Sequence, residues 1–308
     1  MKIVRAKDKE SRFKDVISAT FSIPRPLWGK AEGLKFYQIL EKHKTLFYPD
    51  KYATWAATGG NFKKINISQE ELNELWNPYW RKYHGNGNLV IEGIEADDIS
   101  LGRTKAPKVE YHITPEWLEK RHLGLWHCSL SISFEKDEYF IKKMKDEPYF
   151  WNFIRDMAEY AKCDFGSIQF ATAAAREEPR YFGRRYRPLF SHHSQTLSKC
   201  IDIYLVNIYG PPYIEFFGKE RILSTPCHLV EKLKCGSIWL QLLPGLPRSP
   251  EDYSLWEERE KLVREHLDNN AFCDTSLPAS HKRNAPKFDL SALQMPTDLL
   301  KPDVVPWR

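Results

Sequence analysis

Two adjacent histidines, His192 and His193 in SHHS, follow a stretch that sets Arg176, Arg180, Arg184, Arg185 and Arg187 among Tyr181, Phe182 and Tyr186. Guanidinium groups grip phosphates in a bidentate fork and aromatic rings stack on bases, so this mixture suits a single-stranded nucleic acid. The same arginines suit a solvated loop partly paired with Glu177 and Glu178, the commoner role of a charge run. Loops carry function disproportionately, which makes this the most informative polar stretch of the chain. Set in a cleft beside an acidic group, His192 and His193 could instead serve acid–base catalysis.

A second cluster, Glu92, Glu95, Asp97 and Asp98 in IEGIEADD, follows a short apolar run. Carboxylates in a turn after a strand can gather around Mg²⁺ as a nuclease requires, and they can equally do no more than face water. Cys227 and His228 are neighbours, which in a strand would send them to opposite faces and weaken them as thiolate and base. His112, His122, His127 or His266 could each approach that thiol from afar, and a buried structural cysteine is the ordinary alternative. The chain has no Walker loop, no dinucleotide glycine fingerprint after a strand, no H-E-x-x-H and no G-x-S-x-G. No catalytic residue, metal or cofactor is therefore assigned.

The elements that must hold these groups are read from hydrophobic period. DVISATFS (15–22) alternates as a strand and is stopped by Pro24 and Pro26; residues 31–47 have helical spacing. Ser68 and Glu71 make a capping box for a helix whose face carries Leu72, Leu75, Trp76, Tyr79 and Trp80. NLVIEGI (88–94), KVEYHI (108–113), LGLWHCSLSISF (123–134), SIQFATA (167–173), IDIYLVNIY (201–209) and SIWLQLL (237–243) read as strands. Residues 101–108 read as an exposed connection and Thr114-Pro115 as a helix start. Helices are expected over 146–162 and over 249–267, the latter with Ser249 as N-cap.

This order has long strands of antiparallel type and no regular βαβ rhythm. It predicts an α+β fold, mostly antiparallel sheet packed with several amphipathic helices. DFGSIQFATA (164–173) and KCGSIWLQLL (234–243) share Gly-Ser-Ile, through common strand-entry chemistry or through two related halves. One domain is expected over 1–274, with a sub-boundary near 145, followed by a Pro-rich extended tail over 275–308.

Composition excludes some classes. An apolar share of 42% and a charged share of 28% fit a globular chain, and 10 Trp, 15 Tyr and 17 Phe supply large anchors for a core or an interface. The net charge of +5 is a small difference between 46 basic and 41 acidic residues, so it does not by itself demand nucleic acid or membrane. With no signal-peptide core at the start and no 18-residue apolar run, a cytoplasmic location is expected, with the six cysteines as buried free thiols.

The stretch 201–243 runs from an apolar strand through NIYGPPYIEFFGKERILSTPCHLVEKL to GSIWLQLLP. Gly210 and Pro211 make a corner, Tyr213 opens an aromatic helix, Gly218 and Glu220 lie in a charged turn, and Val230, Glu231 and Leu233 precede Trp239, Leu240 and Gln241. Over about a quarter of the chain this order resembles the C-terminal part of bacterial immunity proteins of the Imm52 and related type VI groups, from polymorphic toxin systems. The resemblance implies a cytoplasmic protein without catalytic activity that binds and neutralises a cognate toxin domain. Buried aromatic anchors and charges complementary to the toxin would then do the work, with Glu95, Asp97 and Asp98 as contacts if the toxin is a nuclease. A nucleic-acid-binding protein using residues 176–187, or an enzyme without a familiar motif, are the alternatives.

Overall fold

A computed structural model describes residues 16–25, 27, 30–54, 63–64, 76, 79–84, 90–95, 99–105, 107–117, 126–135, 147–171, 202–247, 249–272 and 284–287. Alternation decides the middle of the sheet. In strand β1 (Val16–Ile23) Ile17, Ala19, Phe21 and Ile23 are fully buried, while Val16, Ser18, Thr20 and Ser22 are half exposed. Strand β8 (Trp126–Glu135) repeats this with Cys128, Leu130, Ile132 and Phe134 inward and Ser129, Ser131 and Ser133 outward. A period of two gives each strand one apolar and one polar face, and the register Ser18↔Ser133, Thr20↔Ser131 and Ser22↔Ser129 lines the hydroxyls up.

On one flank of this pair lie β9 (Phe165–Ala171), β10 (Val206–Tyr209), β12 (Ile238–Gln241) and β11 (Leu229–Lys232). On the other lie β7 (Val109–Trp117), β6 (Ile99–Arg103), β2 (Lys51–Thr54) and β3 (Lys63–Lys64). Together they form a ten-stranded sheet in the order β11-β12-β10-β9-β1-β8-β7-β6-β2-β3, every neighbouring pair antiparallel. Strands β4 (Tyr79–His84) and β5 (Val90–Glu95) pair separately. The fold is α+β, as the sequence predicts.

Helices α1 (Lys30–Lys42), α2 (Lys44–Phe47) and α3 (Glu147–Ala161) pack on the apolar face through Phe36, Phe47, Phe150 and Phe153, which meet Tyr111 and Phe134 of the sheet. Phe47 and Phe153 stack with their ring centres 4.3 Å apart. The smaller helices α4 (Pro211–Phe217) and α5 (Lys219–Leu223) follow β10, and α6 (Pro250–Leu267) follows β12. Buried side chains from Ile17 to Phe272 make one cluster, and strands from before and after residue 145 share one sheet. Among the described residues no helix is long and apolar enough to cross a membrane.

Several expectations are corrected. Tyr79 and Trp80 lie in β4 rather than on a helix face; Pro78 disfavours helical backbone at Asn77, and pairing with β5 then suits the aromatic residues. Ser68 and Glu71 are outside the described residues. Thr114-Pro115 starts no helix, since β7 runs on to Trp117; β6 ends opposite Ile113, so the N–H that Pro115 lacks would have had no ladder partner on that side. Residues 101–103 are strand rather than connection, with Leu101 fully buried.

The 201–209 strand is regular only from Val206. The Asn207 amide accepts from the Tyr204 N–H and donates to the Tyr204 carbonyl, both at 3.0 Å, and so replaces a ladder partner. The shared Gly-Ser-Ile plays two parts: Gly166 sits within β9 opposite Ile208, whereas Gly236, at φ 97°, makes the turn before β12. Of the tail expected over 275–308, only 284–287 is described.

Candidate functional site

The resemblance-bearing segment is a corner and a wall. Gly210 caps α4, and Pro211 and Pro212 occupy its first positions, where a missing N–H costs nothing. Gly210 also lies so close to the α3–β9 junction that a Cβ there would stand 2.1 Å from the Cys163 carbonyl oxygen. Tyr213 and Phe217 are buried against Phe165 and Tyr209, and Gly218, at φ 84°, ends α4 and starts α5. Glu220 is exposed in the first turn of α5. Leu223 is 36% exposed.

Beyond this corner, β11 and the turn after it face the C-terminal end of α1 and the polar side of α3 across a cleft of about 500 Å³. His43, 3% exposed, lies between the rings of Tyr149 and Phe153, at 5.1 and 5.2 Å. Its Nε2 meets Asp156 Oδ2 at 2.7 Å, and Lys42 Nζ donates to the same oxygen at 2.6 Å. Burial raises the Asp156 pKa, but the hydrogen bonds and charge of His43 and Lys42 outweigh it and hold the carboxyl below its ordinary value. His43 Nδ1 is buried and, among the described residues, has no hydrogen-bond partner.

On the preceding residue of α3, Arg155 Nε donates to Glu231 Oε2 at 3.2 Å, and its guanidinium lies 5.0 Å over the Trp239 ring. Such a stack on a buried ring fixes the direction of the fork. Glu159 accepts the backbone N–H groups of Lys234 and Cys235, both at 2.6 Å, and so ties the β11–β12 turn to α3. Lys232 and Lys234 are exposed beside these pairs and, among the described residues, have no carboxylate within ion-pair distance.

The arrangement can hold a charged group. Its ionic groups are positioned by one another and by a helix, and of its lysines Lys42 is held by Asp156 while Lys232 and Lys234 are in no ion pair among the described residues. Among the described residues no group of three or more His, Cys, Asp or Glu is placed to hold a metal. The Cys227 thiol is half-buried, donates to the Leu229 carbonyl at 3.4 Å, and is pushed up to about 11 by burial, which disfavours the thiolate. His266 and His112 are engaged elsewhere, His266 with the Arg221 carbonyl at 2.8 Å and His112 with Ser100 Oγ at 3.0 Å. Cys128 and Cys163 are buried as expected, whereas Cys235, like Cys227, is only half-buried.

Of the binding residues expected from sequence, Glu95 is the last residue of β5, opposite Tyr79 in the small sheet. Asp97, Asp98, Arg180, Arg184, Arg185, Tyr186, His192 and His193 lie outside the described residues. Of the marker residues, Trp239 reaches the cleft, through Arg155, whereas Gly210, Pro211, Tyr213 and Gly218 build the corner and do not line it. Sequence reasoning did not single out Lys42, His43 or Asp156. The one local signal, for Asp156 alone, was the polar side of the α3 helix, which bears Arg155, Asp156 and Glu159.

No protein-family model matches the chain, and no curated protein matches it. Among solved structures the chain is similar to the Pseudomonas aeruginosa T6SS protein PA0821, with a TM-score of 0.49 and 12% identity over 91% of this chain and 81% of that one.

Proposed function

We propose that this chain is a non-catalytic immunity protein of the cytoplasm, one that binds a cognate toxin domain stoichiometrically and blocks it. The observation that carries the reading is that the segment resembling immunity proteins supplies a wall of the charged cleft: Glu231, Lys232, Leu233 and Lys234 line it, and Trp239 lies beneath Arg155. A stoichiometric binder needs a rigid scaffold that fixes a few charged and aromatic anchors before the partner arrives. Here the Glu159 link to the β11–β12 turn and the Arg155–Trp239 stack supply that rigidity.

Co-expression tests the reading. The product of the gene beside this one should stop growth when expressed alone and should be tolerated when this chain is expressed with it. Growth arrest that persists at full expression of this chain counts against the reading, as does a neighbouring product that is harmless alone.

A further inference from the structure

The cleft has an imbalance that selects its occupant. Lys42 is matched by Asp156, Arg155 by Glu231, and the Glu159 carboxylate by two backbone N–H groups. The described lining has four cations, Lys42, Arg155, Lys232 and Lys234, against three carboxylates, an excess of one positive charge, and the two cations outside ion-pair range of any described carboxylate are Lys232 at the end of β11 and Lys234 two residues on. Resting on the reading above, we propose that the cleft is the docking site for an acidic turn of the toxin, whose carboxylates are held by Lys232 and Lys234.

Three features favour a short acidic peptide over a nucleic-acid backbone. Asp156, Glu159 and Glu231 also line the cleft, so a continuous row of phosphates would run against all three, while the few carboxylates of a turn need meet only Lys232 and Lys234. A volume of about 500 Å³ accommodates a few side chains rather than a strand of stacked nucleotides. Rings and amides, those of Tyr149 and Asn152, line the α3 side and can pack on or hydrogen-bond to peptide groups. The site lies at the sheet's edge, since β11 is the last strand, so a loop of a large partner can reach it without entering the fold.

The test is a titration of the full chain, followed by NMR of the Asn152 side-chain amide and the Lys234 backbone amide. The probes are a terminally blocked Gly-Asp-Glu-Asp-Gly peptide, its Gly-Asn-Gln-Asn-Gly counterpart, and a single-stranded oligothymidylate. The acidic peptide should shift both signals saturably, and its affinity should fall at least tenfold in the double variant Lys232→Glu with Lys234→Glu. Both substitutions are at exposed positions, and an unchanged amide spectrum elsewhere establishes that the variant folds. Equal binding of the neutral peptide, preference for the oligonucleotide, no saturable shift, or a double variant that binds as wild type would each overturn the proposal; the last would leave Lys232 as a guard of the sheet edge. If the double variant still protects cells in co-expression, the docking site is wrong while the immunity reading stands. If the acidic peptide binds but the neighbouring gene product is harmless, the reverse holds.

Discussion

His43 Nε2 and Asp156 Oδ2 stand 2.7 Å apart although 113 residues separate them in the chain, and this contact joins the end of α1 to the middle of α3. Lys42 shares the same oxygen, so the carboxylate is the hinge pin of one side of the cleft. Asp156→Asn keeps the shape and removes the charge. The variant is expected to lose about 1.5–3 kcal/mol, the range for hydrogen bonds to charged groups. A urea transition with a lower midpoint and an unchanged slope is the expected record. The contribution of Asp156 is present above about pH 4, its ordinary range, and is lost as pH falls below that, because its folded pKa is depressed.

Asp164 acts in another window. It is 6% exposed, and burial raises its pKa to about 7. The unfolded chain ionises the same group at about 3.9. Between about pH 4 and 7 the folded protein therefore holds a proton that the unfolded chain has lost, and stability falls as pH rises through that window and levels off above it. Asp164→Asn should match the wild type near pH 4.5 and exceed it by about 1 kcal/mol or more at pH 8. Urea midpoints that stay parallel across this range would remove Asp164 as the cause.

Gly210→Ala is expected to be the most damaging small substitution in the corner. The new methyl would meet the Cys163 carbonyl oxygen at 2.1 Å and the Asp164 Cα at 2.8 Å, both backbone atoms that cannot rotate away. Moving them would disturb the Gly210 N–H to Asp164 carbonyl bond of 2.8 Å. A loss of about 2 kcal/mol or more is expected from such overpacking, read as a fall in the thermal midpoint. A variant that melts with the wild type would show that the corner can open.

Ser249 accepts from the Asp252 N–H while the Asp252 carboxylate accepts from the Ser249 N–H, a complete capping box on α6. Ser249→Ala should cost about 1 kcal/mol, and Ser249→Gly only a few tenths. The ratio between the two, measured by denaturant midpoints, separates loss of the cap from loss of packing.

What was legible in the sequence is what local period encodes. VISATFSI and WHCSLSISFE alternate, so β1 and β8 and their inward faces follow from adjacent residues; α3 and α6 follow from helical spacing and, at Ser249, a cap. Thr114-Pro115 misled because the meaning of a proline depends on whether a neighbouring strand needs its N–H, and that is decided at Ile99, where the β6 ladder stops on another strand. The cleft was not legible for the same reason in stronger form. His43, Asp156 and Glu231 are individually ordinary charged or aromatic positions, and only the packing of α1, α3 and β11 brings them together. The sequence did mark the segment that supplies Glu231 and Trp239, because a rigid Gly-Pro corner needs unusual residues whatever it positions.

Stoichiometric binding is the central claim, and the mass of the complex tests it most directly. The full chain, tagged and isolated from its native cells, is to be measured by size-exclusion chromatography with light scattering. The account predicts a second polypeptide in a fixed molar ratio, encoded beside this chain and released when Lys232 and Lys234 are both changed to Glu. Elution of the chain alone, together with turnover of a substrate by the isolated protein, would contradict it.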